Sequence, residues 1–297
     1  MSRNHDPVFA AIPGVGSPEA LEDALSVLSH QDYDDILIRQ TDEPTDEVRD
    51  AISDLSDRYS FSYVTGFHPT TPGEARNELA SYATSKVGSY GDAILHFIDP
   101  DMRVMQHETP ARRIRDHLSD PEVGMGGGLV LTAEGNQSMY NYGPVFSLKS
   151  GIGALKQAKA ERILKEHSGR EAGKYRDKQG SWLYGWPDTT TRPEPWPAVI
   201  NERQMRTSSD TAWVHEGNLF IQASNLRRGG GFEKTGIHEV QGLGVQLRKQ
   251  GLKVVFDPHI AVKHRGPEKP IGNLAKNLAA TALLAGKHGV FRYIKDS

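Results

Sequence analysis

Short apolar runs alternate with amphipathic stretches through the first third of the chain. Val8-Phe-Ala-Ala-Ile12 is apolar throughout and is closed by Pro13-Gly14. A run that short between turn formers predicts a buried strand, not a helix. Ser17-Pro18-Glu19 then supplies an N-cap serine, a proline at the first helical position and an acid in the first turn. Ala20, Leu21, Ala24, Leu25 and Leu28 follow on one helical face, so a helix is expected to about Ser29. The pattern repeats. Ile36-Leu37-Ile38 predicts a strand over Asp35 to Arg39, with a helix to about Arg58. Phe61 to Val64 predicts a third strand, and Thr71-Pro72-Gly73 opens a third helix. Asp92 to Ile98 predicts a fourth strand, interrupted only by His96. Strands alternating with helices imply a parallel, doubly wound sheet.

Past Asp101 the pattern loosens. Ala111 to Leu118 predicts a polar helix, and Val123 to Thr132, with Gly126-Gly127-Gly128, an inner strand with close backbone approach. Ser147 to about Lys178 is basic and helix-prone, and its bland reading is a solvated face. Trp182 to Pro197 is rich in Pro and Trp and predicts a long functional loop. Trp213 to Ile221 predicts one further strand, Gly229 to Phe232 a turn, and Glu239 to about Gln250 a helix ended by Gly251. Leu252 to Phe256 predicts a strand leading to Asp257-Pro258, and Ile271 to Ile294 an amphipathic helix.

Composition changes this picture little. The 297 residues are 37% hydrophobic with mean hydropathy −0.55, enough for a core. A net charge of −3 argues against nucleic-acid binding by bulk charge. The lack of cysteine excludes disulfides and thiolate metal sites. Met1 to Pro7 is polar, and no apolar run is long enough to span a bilayer, so the expectation is a cytoplasmic protein, with peripheral membrane contact left open.

The chemistry gathers at strand ends. Asp99 and Asp101 close the fourth strand, where open α/β sheets bind ligands. Two carboxylates there suit a hard divalent cation. Asp42 ends the second strand and can accept hydrogen bonds from a base or ribose, and Arg76 can meet base or phosphate. Each has a plainer reading: Asp99-Pro100-Asp101 as a surface turn, Asp42 as a helix cap, Arg76-Asn77 as a solvated helix start.

Taken in order, these motifs resemble the family 2 nucleotide-sugar-dependent glycosyltransferases, from about Val8 to His264. Thr41-Asp42-Glu43-Pro44-Thr45-Asp46 stands where that family has an acidic turn, and Gly73-Glu74-Ala75-Arg76-Asn77 where it has Gly-x-Ala-x-Ala-Arg-Asn. Asp99-Pro100-Asp101 matches its metal-binding Asp-x-Asp. Gly230-Gly231-Phe232, the helix carrying Arg248, and Asp257-Pro258 followed by His264 match its C-terminal half. The resemblance implies a GT-A fold: a Rossmann-like, mostly parallel sheet flanked by helices. It implies a nucleotide-binding half at 1–102, an acceptor-side half at 103–266 with a loop at 180–200, and a helical extension at 267–297. Implied ligands are Mn²⁺ or Mg²⁺, held by Asp99, Asp101 and His264, and a nucleotide sugar, UDP-linked in preference to GDP-linked, held by Pro13, Asp42, Arg76 and Asp99. Trp182, Trp186, Trp213 and Glu216 are expected on the acceptor or lid side.

One position departs from the family. Counting from Arg248 and Phe232, its Glu-Asp pair, with the catalytic base, falls on Gln241-Gly242. Glu239 is the expected replacement, with His238 as its neighbour and Glu216 and His215 as further candidates. The expected activity is metal-dependent, inverting sugar transfer to a hydroxyl of a protein, glycan or lipid-linked sugar, with modified nucleic acid less favoured. The alternative is an impaired GT-A domain that binds a nucleotide sugar or glycan without transfer. A nucleotidyltransferase is disfavoured, because Pro13-Gly14-Val15-Gly16 lacks the Arg and Lys of such a loop.

Overall fold

The computed structural model describes residues 6–14, 17–40, 43–64, 70–89, 91–105, 109–131, 133, 142–143, 211–233, 239–265 and 286–287. The basic stretch, the loop with Trp182 and Trp186, Asp42, His238 and most of the C-terminal extension lie outside them.

Among the described residues, β1 (Val8–Ile12), β2 (Asp35–Arg39), β3 (Ser62–Val64) and β4 (Ile94–Ile98) alternate with α1 (Pro18–Leu28), α2 (Asp46–Ser56) and α3 (Pro72–Val87). Then come β5 (Met102–Val104), α4 (Pro110–Leu118), β6 (Val123–Leu131), β7 (Tyr142–Gly143), β8 (Trp213–Val214) and β9 (Asn218–Gln222). The helices α5 (Ala223–Arg228) and α6 (Glu239–Lys249) precede β10 (Lys253–His264). One sheet runs β3-β2-β1-β4-β9-β6-β10-β5, and β7 pairs with β8 in a small second sheet. Strands β1 to β4 are mutually parallel, β9 is antiparallel to β4 and β6, β10 is parallel to β6, and β5 is antiparallel to β10.

The period-2 alternation of the strands divides the core. Phe9, Ala11, Leu95 and Phe97 face the layer of α3, α5 and α6. Ala10, Ile12, Ile36 and Ile38 face α1 and α2, while Val8 and Ile94 meet α4. Each Leu, Ile or Phe so buried contributes about 1.5–3 kcal/mol of transfer free energy. The layers have one consequence for function: the carboxyl ends of β1, β2, β4, β6 and β10 and the start of β9 all meet at one edge.

Local rules fix α3, which carries Arg76. Thr71 Oγ1 accepts from Glu74 N–H at 3.2 Å, and the Glu74 carboxylate accepts from Thr71 N–H at 3.1 Å, a reciprocal capping box. Helix α1 is capped by Ser17, whose hydroxyl accepts from Ala20 N–H.

Two strands differ from expectation. The single strand over Trp213 to Ile221 is two, β8 and β9, broken by a turn at Glu216-Gly217. The turn forms because Gly217 packs on Met102 and Asp99, where a Cβ would lie 2.4 Å from Met102 Cε. The strand expected to stop at Phe256 continues to His264. It passes Pro258 through a register shift against β6, a position where a missing N–H costs the ladder nothing. Strand β5 and helix α5 were not expected. Helix α5 starts where Ser224 N–H donates to the Asp92 carboxylate, a partner remote in sequence.

Candidate functional site

Arg76 organises the edge. Its side chain is 3% exposed, yet it carries a charge into the sheet–helix boundary. Nη2 donates to Asp99 Oδ1 at 2.6 Å and Nη1 to Glu239 Oε2 at 2.7 Å. The guanidinium also lies over the Phe232 ring, 5.7 Å from its centre. Burial alone would lower the Arg76 pKa, but Asp99, Glu216 and Glu239 outweigh it and raise it, so the group stays charged.

Glu239, the first residue of α6, is held on both oxygens. Oε1 accepts from Gly73 N–H at 3.1 Å, and Oε2 accepts from Arg76. The approach requires glycine at 73, since a Cβ there would lie 2.5 Å from the Glu233 carbonyl oxygen and 3.0 Å from Glu239 Cδ. Burial pushes the Glu239 carboxyl up to about 7; Arg76 and Gly73 N–H oppose that rise, and Glu216 and Asp99 add to it. Gln241 and Gly242 are buried within the first turns of α6. Asn77 fixes the chain just before this helix: its amide donates to the Phe232 carbonyl and accepts from Phe232 N–H.

The second cluster abuts the first. Asp101 follows β4, and its Oδ2 is 3.9 Å from Nδ1 of His264 at the end of β10. His264 lies edge-on to His215, with ring centres 6.1 Å apart. His215 precedes Glu216 in the turn that abuts Asp99, and its Nδ1 accepts from Gly217 N–H at 2.9 Å. Two ligands of one divalent ion at bonds of ~2.1 Å lie roughly 3–4.2 Å apart, so the Asp101–His264 spacing fits neighbouring positions on an ion. Among the described residues, no three His, Asp or Glu side chains converge closely enough to cage an ion by themselves. The donor set fits an ion only in company with ligands from a substrate, such as diphosphate oxygens.

The structure thus brings together Arg76, Asp99, Asp101, Glu216, Glu239 and His264. Pro13 is buried at the end of β1 on the same edge, and Trp213 is buried in β8 at 7% exposure. Gly217 and Asn218 shape the site without having been singled out in sequence, and Gly73, read as part of a helix-start motif, turns out to hold Glu239. For Gly217 the local signal was Glu-Gly-Asn, a turn former inside an apolar run.

Two buried groups titrate in opposite senses. His96 is pushed down to about 4, chiefly by burial, its hydrogen bond to Asn218 acting the other way. Its stability contribution is present above the unfolded value of 6.5 and is lost as pH falls through 4. Glu239 is raised, so its contribution is present below 4.5 and is lost as pH rises through about 7. Each effect amounts to about 3 kcal/mol at most. In metal-free protein the two are expected to cancel between pH 4.5 and 6.5. His96→Gln should unmask a fall in stability with rising pH, and Glu239→Gln a rise. Urea midpoints across that range check both signs.

Comparison with solved structures agrees with this architecture. The chain is similar to mannosyltransferase PcManGT from Pyrobaculum calidifontis, solved with GDP-Man and Mn²⁺, at 14% identity and TM-score 0.55, over 99% of this chain and 66% of that one. It is similar to GalNAc-T7, solved with UDP, GalNAc and Mn²⁺, at 12% identity and TM-score 0.57, over 96% of this chain and 48% of that one. It is also similar to S. aureus TarS, at 10% identity and TM-score 0.50, over 95% of this chain and 39% of that one. The fold is GT-A, a mixed α/β sheet flanked by helices. The chain spans just under two thirds of the mannosyltransferase and less than half of the other two. No protein-family model matches the chain, and no curated protein matches it in sequence.

Proposed function

We propose that this chain is a metal-dependent glycosyltransferase that moves a sugar from a nucleotide-sugar donor to a hydroxyl acceptor, with inversion. The observation that carries this reading is the meeting of Asp99, Asp101, His264 and Arg76 at the carboxyl edge of a GT-A sheet. It is supported by two structural neighbours, which were solved with Mn²⁺ and a nucleotide or nucleotide sugar. Asp101 and His264 would hold Mn²⁺ or Mg²⁺ in company with diphosphate oxygens, with Asp99, whose Oδ1 bonds Arg76, beside them. The ion supplies positive charge against the departing diphosphate. Arg76 neutralises the buried Glu239 carboxylate behind it and keeps Asp99 oriented. The family resemblance implies a nucleotide-binding role for Pro13, Asp42 and Arg76, with UDP the favoured nucleotide. The acceptor is a hydroxyl on a protein, glycan or lipid-linked sugar, and the resemblance implies an acceptor-side role for Trp182, Trp186 and Trp213.

The acceptor proton needs a base. Glu239 was the expected one, but both its oxygens are engaged and its side chain is 3% exposed. Glu216 is partly exposed on the turn beside Asp99 and is close enough to Arg76 and Glu239 to shift both. We assign Glu216 as the base and Glu239 as the brace of Arg76. His238 lies outside the described residues.

The test is nucleoside diphosphate release from a panel of nucleotide sugars with Mn²⁺. Turnover should appear with one donor class and vanish with chelator. Asp101→Ala should lower it ~10²-fold or more, the scale seen when one preorganised charge-stabilising group is lost. Release that is indifferent to chelator and to Asp101→Ala would refute the reading. Tight donor binding without transfer to any acceptor would favour a binding domain, a reading that the engaged Glu239 also supports.

A further inference from the structure

Asn218 is fully buried at the start of β9, opposite Ile98, the residue before Asp99. Its Nδ2 donates to two backbone carbonyls, Leu129 at 3.0 Å and Ile260 at 2.9 Å. Both lie where β6 and β10 lose register. Gly128 pairs with Asp257 but Leu129 pairs with Ala261, so Pro258, His259 and Ile260 stand outside the ladder. The bulge turns the Ile260 carbonyl inward, 1.8 Å from where a Cβ of residue 128 would be, and only glycine permits that. A buried carbonyl left unpaired there costs about 1–3 kcal/mol.

With both donors spent on carbonyls, Asn218 must present Oδ1 to its remaining neighbour, His96 Nε2, at 2.7 Å. Flipping the amide would aim an oxygen at two carbonyl oxygens. An oxygen only accepts, so Nε2 carries the proton and Nδ1 accepts from the Tyr33 hydroxyl at 2.5 Å. Four elements are therefore tied by one polar chain: the loop before β2, β4, β9 and the β6–β10 bulge.

Beyond the bulge the ladder resumes, Val262 with Val130 and Lys263 with Leu131, and His264 pairs with Met102 of β5. The bulge length decides where His264 arrives. A slip of one residue would turn every later side chain to the opposite face and take His264 away from Asp101. We propose that Asn218, oriented by His96, is a positioning residue: it locks the β10 register that presents His264 to Asp101. This inference rests on the reading that His264 and Asp101 hold the divalent ion.

The experiment measures Mn²⁺ binding by EPR, with UDP and GDP run in parallel, in folded full-length variants. His264→Ala should weaken Mn²⁺ binding tenfold or more. Asn218→Ala should weaken it similarly, and the double variant no further than His264→Ala alone, because the two act through one ligand. His96→Leu should also weaken it, whereas His96→Gln, which keeps a donor at the Nε2 position, should restore it. That pair serves if Asn218→Ala does not fold. In ¹⁵N-histidine spectra, His96 should show Nε2 protonated and Nδ1 not. If His264→Ala weakens binding but Asn218→Ala and His96→Leu do not, or if the losses add, the lock is refuted while the metal reading stands. If His264→Ala has no effect, the metal reading fails and the lock falls with it.

Discussion

Arg76→Met is expected to destabilise the fold by about 3–5 kcal/mol at pH 8, the scale for removing one partner of a buried ion pair. The methionine fills much of the space but leaves Glu239, 3% exposed, and Asp99 without their cation. The cost lies in those stranded carboxylates more than in lost contacts. It should therefore shrink toward pH 5, where Glu239 takes up a proton, and it should grow as pH rises. Adding Glu239→Gln to Arg76→Met should recover part of the loss, since the neutral amide needs no counter-ion and can still accept from Gly73 N–H. Urea unfolding of the two single variants and the double variant at both pH values measures this. A loss below about 1 kcal/mol for Arg76→Met at pH 8, or strict additivity, would mean that the ion pair is energetically idle.

The second large effect separates Glu216 from Glu239. General-base assistance contributes ~10²–10⁴ in rate. Glu216→Gln is expected to lower turnover by that factor on an identified acceptor, with a smaller change in nucleotide affinity, because Arg76 and Asp99 keep their own bond. Glu239→Gln should behave differently. An amide cannot accept from both Arg76 and Gly73, so it should cost about 1–3 kcal/mol of stability and weaken nucleotide binding through Arg76. Steady-state kinetics beside thermal melts distinguish the two. If Glu239→Gln loses turnover without losing stability while Glu216→Gln is normal, the base is Glu239 after all, and α6 must move to expose it.

These roles were unevenly legible in the sequence. The short apolar strands and the helix starts at Ser17-Pro18 and Thr71-Pro72 rest on rules that act within a few residues, and they appear where expected. The grouping of Arg76, Asp99, Asp101 and His264 could be anticipated from motif order through family resemblance alone. What failed to show was long-range. The Glu239–Arg76 pair spans 163 positions, and no periodicity marks such a pairing. Asp257-Pro258 looked like a strand end because proline usually is one; β10 runs on because Asn218, 42 positions before Ile260, satisfies the bulged carbonyl. The Trp213 to Ile221 run hid its turn because the neighbours that demand Gly217, Met102 and Asp99, come from a different part of the chain.

The place of β9 in the sheet also bears on how the protein is made. The strand sits between β4 and β6, yet it leaves the ribosome about 120 residues after β4. At typical synthesis rates of 5–20 residues per second that is a delay of roughly 6–24 s. Until β9 emerges, β4 has a mostly apolar edge, Ile94-Leu95-His96-Phe97-Ile98, without the strand that pairs on that side of it in the finished sheet. Nascent chains halted before Asn218 should therefore engage chaperones or aggregate, and those extended past Gln222 should not. Premature termination and slow codons between the two strands would expose a hazard that the finished protein conceals.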